Sequence, residues 1–288
     1  MIHRRSFCLS CGSALLAASL QNAWADQSPL QEALRDIERK AKGRLGVHII
    51  DTSTGLELGW RSEERFLMLS SFKLLASALV LDRVDRGVES LQRRIRFSKE
   101  DLVSWSPVTE RHVGGHGMSL AQLCEATLTT SDNTAANLIL ASYGGPAALT
   151  AYARRLGDSE TRLDRTEPAL NRRAASGEPL DTTTPRAMAN TLRTLLLGKA
   201  LAPESRDRLT QWLLANTTGG KRLRAGLPVG WQIGEKTGTA GDDANDIGIA
   251  FPVQRAPIIV TAYLAESATD AATRENALAS VGRLLTRI

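Results

Sequence analysis

The chain is poor in the residues that build disulfides, metal centres and nucleic-acid surfaces. Of its 288 residues, three are cysteine and four are histidine. Cys8 and Cys11 lie within a leader that is expected to be removed, which leaves Cys124 with no internal partner. A lone thiol on an apolar helical segment reads as core filler. The histidines, His3, His48, His112 and His116, form neither H-x-H nor H-E-x-x-H, which argues against a zinc hydrolase. The stretch HVGGHG has glycines but lacks the lysine and the strand–helix setting of a phosphate loop. Aromatics make up only 5% and the basic residues are scattered, so the net charge of +5 reads as solubility rather than a nucleic-acid footprint. No run is apolar and long enough to span a bilayer.

What is present suits a globular enzyme. A chain of this length can bury a sizeable core without a disulfide or metal, as one large domain or two smaller ones sharing a boundary. Its start is different in character. MIHRRSFCLSCGSALLAASLQNAWADQ joins His3, Arg4 and Arg5 to a short weakly apolar run, then to Ala23 and Ala25. That is the pattern of a cleavable secretory signal over residues 1–25, with the mature chain beginning at Asp26. RRSF also resembles a twin-arginine signal, although an ordinary n-region often holds two arginines. The mature protein is expected to be exported to the periplasm, monomeric, without a membrane span, metal or cofactor.

Period and punctuation divide the rest. LQEALRDIERKAKG predicts an amphipathic helix with Leu30, Leu34 and Ile37 on one face. RLGVHIIDTSTGLELGWR predicts a β-hairpin turning at DTSTG. From Ser70 helical segments dominate, one opened by a capping box at Ser119 and Gln122, another begun by Pro146 and ended by Gly157. RTEPALNRRAASGEPLD has no period, and an aperiodic connection this long is usually functional or disordered. After Pro228, GWQIGEKTGT, NDIGIAFP and APIIVTAYLAE read as an antiparallel meander, and a last helix closes the chain. The expected fold is α/β of the α+β type. Residues 26–65 and 215–288 form an antiparallel sheet with flanking helices, residues 66–214 form an inserted helical domain, and the active-site cleft lies between them.

Four motifs carry chemistry. SSFKLLASALVLDRV places Lys73 near the start of an otherwise apolar helix, three residues after Ser70 and on the same face. A buried ammonium tends to give up its proton, and such a lysine beside a serine can activate it as a nucleophile. A helix N-terminus would also offer free N–H groups to an oxyanion. Alone the spacing is weak, because S-x-x-K recurs by chance about once in a chain of average composition. Ser131-Asp132-Asn133 can relay a proton and bind an amide, or simply cap a helix. EKTGT puts Lys236, Thr237 and Thr239 on a probable edge strand, with Gly238 allowing a substrate backbone to come close. EPALN sets Glu167 and Asn171 four apart in the long loop, where they could hold one water with Glu167 as its base.

All four motifs in this order resemble the class A serine β-lactamases, over essentially the whole mature chain and including the flanks ATLTTSDNTAANLIL and GWQIGEKTGTAG. The resemblance implies hydrolysis of small-molecule β-lactams through an acyl-serine, conferring antibiotic resistance. It implies Ser70 as nucleophile, an oxyanion hole from the N–H groups of Ser70 and Thr239, and Lys73 and Glu167 handling the serine proton. Ser131 would protonate the lactam nitrogen, Asn133 would hold the side-chain amide, and Glu167 with Asn171 would position the hydrolytic water. Lys236, Thr237, Thr239 and Arg222 would face the substrate carboxylate. Trp105 would form an aromatic wall, or is a surface tryptophan. Arg165 and Asp181 would close the neck of the loop by an ion pair. Leu69 and Ala240 stand where members active on carbapenems often carry a disulfide. The nearest rival, a D-alanyl-D-alanine peptidase, would lack the Glu167–Asn171 pair.

Overall fold

The computed structural model describes residues 29–288, so the expected signal, with Cys8 and Cys11, lies outside the described residues. Helix α1 spans 29–41; Leu30 and Leu34 of the expected face are buried and Ile37 is half-buried. The hairpin follows as β1 (Arg44–Asp51) and β2 (Glu57–Trp60). At the other end of the chain lie β7 (Gln232–Ala240), β8 (Asp243–Phe251), β9 (Ile258–Ala265) and helix α9 (Ala271–Leu284). These strands form one antiparallel sheet in the order β2-β1-β9-β8-β7, so the two chain ends meet at the β1–β9 ladder and β7 is an edge.

Between the ends come α2 (Phe72–Asp85), α3 (Leu120–Thr129), α4 (Asn133–Ser142), α5 (Gly145–Arg155), α6 (Pro185–Leu196) and α7 (Pro203–Leu214), then the short α8 (Leu223–Gly226). Two-residue strand pairs tie this part together: β3 (Phe66–Leu67) with β6 (Thr182–Thr183), and β4 (Arg94–Ile95) with β5 (Met118–Ser119). The Ser119–Gln122 capping box opens α3, and Gly157, at φ 87°, follows the end of α5 as the sequence suggests.

Both faces of the sheet are covered. Leu30 and Leu34 of α1 and Leu278 and Val281 of α9 pack with Val47, Ile49 and Val260 on one face. On the other, Met188 and Leu192 of α6 join Ile247, Ile259 and Tyr263 in a core that continues into α2 through Leu74 and Leu75. That second cover explains why His48 is buried although it alternates with Val47 and Ile49. Helix α2 runs through this core with every residue from Phe72 to Leu81 buried. A helix enclosed on all sides is expected to be apolar all round; Ser77 and Lys73 depart from that here, and Lys73 is the charged one, which the site explains.

Candidate active site

Ser70 sits in a 3-10 turn, Leu69–Ser71, that leads into α2, rather than inside the helix proper. The turn is wedged against β7. A Cβ at Gly238 would lie 2.9 Å from Leu69 Cβ and 3.3 Å from the Ser70 nitrogen. The missing side chain of Gly238 thus makes room for the chain's own nucleophile turn, a packing role that the sequence reading did not include. Asn245 of β8 braces the same turn from below, its amide donating to the carbonyls of Leu67 and Met68 at 2.8 and 3.2 Å. Gly238→Ala is therefore expected to displace the Ser70 turn and lower kcat/KM tenfold or more (about 1.4 kcal/mol per tenfold). A variant with parental kinetics would show that the turn yields freely.

Lys73 is fully buried and does not snorkel. Its Nζ lies 2.8 Å from Ser70 Oγ, 3.2 Å from Ser131 Oγ, 2.5 Å from Asn133 Oδ1 and 3.1 Å from Glu167 Oε1. Burial lowers its pKa from the usual lysine value, while the Glu167 carboxylate opposes that fall. Ser70 Oγ also donates to Glu167 Oε1 at 3.2 Å. The hydroxyl thus touches two groups able to take its proton.

The Ser131-Asp132-Asn133 turn serves both readings of its sequence at once. Asp132 caps α4 through the Ala135 N–H at 2.8 Å and collects the Val108 and Thr109 N–H groups at 3.0 and 2.9 Å. With the cap held by Asp132, its neighbours are free to face the cleft. Ser131 has a left-handed backbone, φ 62°, a strained state for a non-glycine residue. Its Oγ lies between two lysine nitrogens, Lys73 Nζ at 3.2 Å and Lys236 Nζ, which donates to it at 3.1 Å. Lys236 is fully buried on β7, and burial, Lys73 and Arg222 together push its pKa well below the usual lysine value.

Glu167 and Asn171 are in contact, the Asn171 amide donating to Glu167 Oε2 at 2.6 Å. Asn171 Oδ1 remains buried with no donor, an acceptor available to a water. The loop that carries them is held at three points. Arg165 Nε pairs with Asp181 Oδ2 at 2.6 Å, the neck expected from sequence. Asn137 clamps the Glu167 backbone from α4, accepting its N–H and donating to its carbonyl, both at 2.9 Å. Arg173 grips Asp243, at the start of β8, with both carboxylate oxygens at 2.7 Å. Sequence reasoning missed Asn137, Asn245 and Arg173. For Asn137 a signal existed, because it follows Asn133 by four on one helix.

The cleft above these groups has a volume of about 390 Å³ and is lined by Ser70, Ser131, Asn133, Asn171, Arg222 and Thr239. Trp105 stands at its rim, 65% exposed, with its indole N–H donating to the Thr130 carbonyl at 3.0 Å. Thr237 lines it too, bonded to the Thr218 hydroxyl at 2.5 Å. Arg222 reaches in from the turn before α8. Its guanidinium donates to the Gly238 and Asn245 carbonyls at 2.9 and 2.8 Å and to Thr239 Oγ1 at 2.6 Å. Every residue singled out by the four motifs, with Arg222 and Trp105, converges on or directly beneath this one cleft.

A serine flanked by a buried lysine and a carboxylate, under a cation and an edge strand, is the site of a serine acyl-transfer enzyme. The model of the β-lactamase enzyme family matches residues 29–288, and this chain belongs to that family. It is 42% identical to β-lactamase OXY-1 of Klebsiella oxytoca over 285 residues, covering 98% of this chain and 97% of that protein. To β-lactamase Toho-1 of Escherichia coli it is 43% identical with the same coverage. Among solved structures, an ancestral (GNCA) class A β-lactamase superposes with a TM-score of 0.87 at 59% identity, covering 89% of this chain and 98% of that one. The fold is that of the class A β-lactamases.

Proposed function

We propose that this enzyme, a class A serine β-lactamase, opens the β-lactam amide through an acyl-serine at Ser70 and so confers antibiotic resistance. The observation that carries this reading is the position of Ser70 Oγ, 2.8 Å from Lys73 Nζ and 3.2 Å from Glu167 Oε1 at the floor of the cleft. Lys73 and Glu167 draw the proton from Ser70, and the alkoxide attacks the lactam carbonyl. The N–H groups of Ser70 and Thr239 receive the developing oxyanion. As the ring opens, Ser131 delivers a proton to the lactam nitrogen, replenished across the contacts to Lys73 and Lys236. Water held by Glu167 and the free acceptor of Asn171 then hydrolyses the ester, with Glu167 as general base. The Glu167–Asn171 pair favours turnover over the single acylation of a penicillin target or sensor.

Arg222, Lys236, Thr237 and Thr239 bind the substrate carboxylate, Asn133 the side-chain amide, and Trp105 the substrate's flank. Gly238 contributes through its carbonyl, which fixes Arg222. Arg165 and Asp181 hold Glu167 in place. The enzyme works as a monomer in the periplasm and needs no metal; among the described residues no helix is long and apolar enough to cross a membrane. The direct test is incubation of the mature protein with a chromogenic cephalosporin. More than one product per enzyme supports the reading, and a single stoichiometric burst refutes it.

Arg222→Ala is expected to lose about 1.5–3 kcal/mol of charge-assisted bonding, or roughly ten- to a hundredfold in kcat/KM. Esterifying the substrate carboxylate should erase most of that difference. Equal losses on acid and ester would make Arg222 a scaffold for Thr239 and Gly238.

A further inference from the structure

Thr239 and Thr237 are both assigned to the substrate carboxylate, yet their hydroxyls are held in opposite ways. Thr239 Oγ1 accepts from the Arg222 guanidinium at 2.6 Å. A guanidinium only donates, so the Thr239 proton stays free for the cleft. Thr237 Oγ1 instead meets Thr218 Oγ1 at 2.5 Å, where either hydroxyl can be the donor. Thr218 lines the same cleft and belongs to none of the four motifs.

Thr218 is tied on its other side to Asn216, which is buried just beyond α7. Asn216 Oδ1 accepts both the Thr218 N–H and the Thr218 hydroxyl, each at 2.8 Å. The N–H can only donate, so it fixes which end of the amide faces Thr218. The turn itself is anchored on both sides. Thr217 holds the Thr129 carbonyl, at the end of α3, through its N–H and its hydroxyl, both at 2.9 Å. The Arg222 N–H donates to the Gly219 carbonyl at 2.9 Å. One turn therefore presents Thr218 and Arg222 to the cleft together.

A hydroxyl has one proton and two lone pairs. When Thr218 gives its proton to Asn216, it can only accept from Thr237. The Thr237 proton then points into the protein and its lone pairs face the cleft, a polarity that repels a carboxylate. The reverse arrangement uses the same atoms. Thr218 turns its proton onto Thr237, and Thr237 offers its own to the cleft. Asn216 Oδ1 keeps the Thr218 N–H, so the reversal leaves no buried acceptor bare. No proton changes oxygen; both hydroxyls turn about their Cβ–Oγ bonds. We infer that Thr218 is a positioning residue that makes Thr237 a donor to the substrate carboxylate, by reversing a hydroxyl chain anchored on Asn216. The inference rests on the assignment of Thr237 to that carboxylate. A hydroxyl that accepts one bond while donating another is the stronger donor, because bonds in a chain polarise one another. Thr218 thus supports the anion without having to touch it.

The test is a double-mutant cycle of Thr218→Val and Thr237→Val, with Thr218→Ser beside it, each assayed on an anionic β-lactam and on its ester. Valine keeps the volume of threonine and removes the hydroxyl. Thr218→Val should raise KM for the acid about three- to tenfold, with kcat unchanged and the ester within about twofold of the parent. Thr218→Ser keeps the hydroxyl and should restore parental KM. If Thr218 acts through Thr237, its loss adds nothing once Thr237 is valine, so the two effects on the acid should not add. Three results would overturn the inference alone, provided that Thr237→Val is selectively impaired on the acid: parental KM in Thr218→Val, a serine variant as impaired as the valine one, or additive losses in the double variant. Equal losses of Thr237→Val on acid and ester would overturn the carboxylate assignment of Thr237, and the inference with it. Should Thr218→Val not fold, Thr218→Ala takes its place in the cycle with the same expected outcomes.

Discussion

Glu167→Ala is expected to convert the enzyme into one that acylates and stops. Ser70 keeps Lys73 at 2.8 Å, and the N–H groups proposed for the oxyanion are untouched, so the first half of the reaction continues at a reduced rate. The second half loses its base. Asn171 could still accept a hydrogen bond from water, but a neutral amide cannot take a proton at neutral pH. General-base contributions are about 10²–10⁴-fold, so deacylation should slow by at least that much. The readout is a burst near one equivalent, then near silence, with a covalent adduct on Ser70 in the mass spectrum. Removing Glu167 also leaves the Asn171 amide and one Lys73 contact unsatisfied, so a thermal melt must accompany the kinetics. A folded variant that turns over at the parental rate removes Glu167 from the mechanism. A folded, inactive variant with no adduct makes it the acylation base as well.

Lys73→Ala should fail one step earlier. The lysine joins Ser70, Ser131, Asn133 and Glu167 through one nitrogen. Its loss removes a base from the serine and one arm of the proposed relay to the lactam nitrogen. Pre-steady-state acylation is expected to fall by about 10²–10⁴-fold, with no adduct accumulating. Alanine also leaves a buried carboxylate facing Ser70 without its counter-ion, so the loss of stability should exceed that of an ordinary surface change. Lys73→Met, which keeps the volume, separates the two effects: activity should stay low while packing is preserved. Parental acylation in either variant would mean that Glu167, 3.2 Å from Ser70 Oγ, activates the serine alone.

The loop around Glu167 links these kinetics to the fold. It has no long regular element of its own, only a 3-10 turn at Ala169–Asn171. Its order comes from Arg165–Asp181 at the neck, Asn137 on the Glu167 backbone and Arg173 on Asp243. Each anchor comes from a different region of the chain. The loop is therefore rigid where Glu167 must meet Ser70, although its composition reads as irregular.

Local chemistry was legible in the residues alone. The capping box at Ser119, the helix stop at Gly157, the hairpin at DTSTG and the three-strand meander all follow from backbone rules spanning a few residues. The four motifs named the chemical groups because nucleophile, base and amide binder are defined by residue type and short spacing. What the tertiary structure alone decided is how groups distant in sequence combine. Gly238 proved to be a seat for the Ser70 turn, because the neighbour a Cβ would strike lies about 170 residues away in the chain. Asn137, Asn245 and Arg173 are ordinary polar residues in sequence, and only the meeting of α4, β8 and the loop makes them clamps. Asp246 and Glu235 are buried only because both faces of the sheet are covered. Their burial is a property of the packed whole, which no short stretch of sequence encodes.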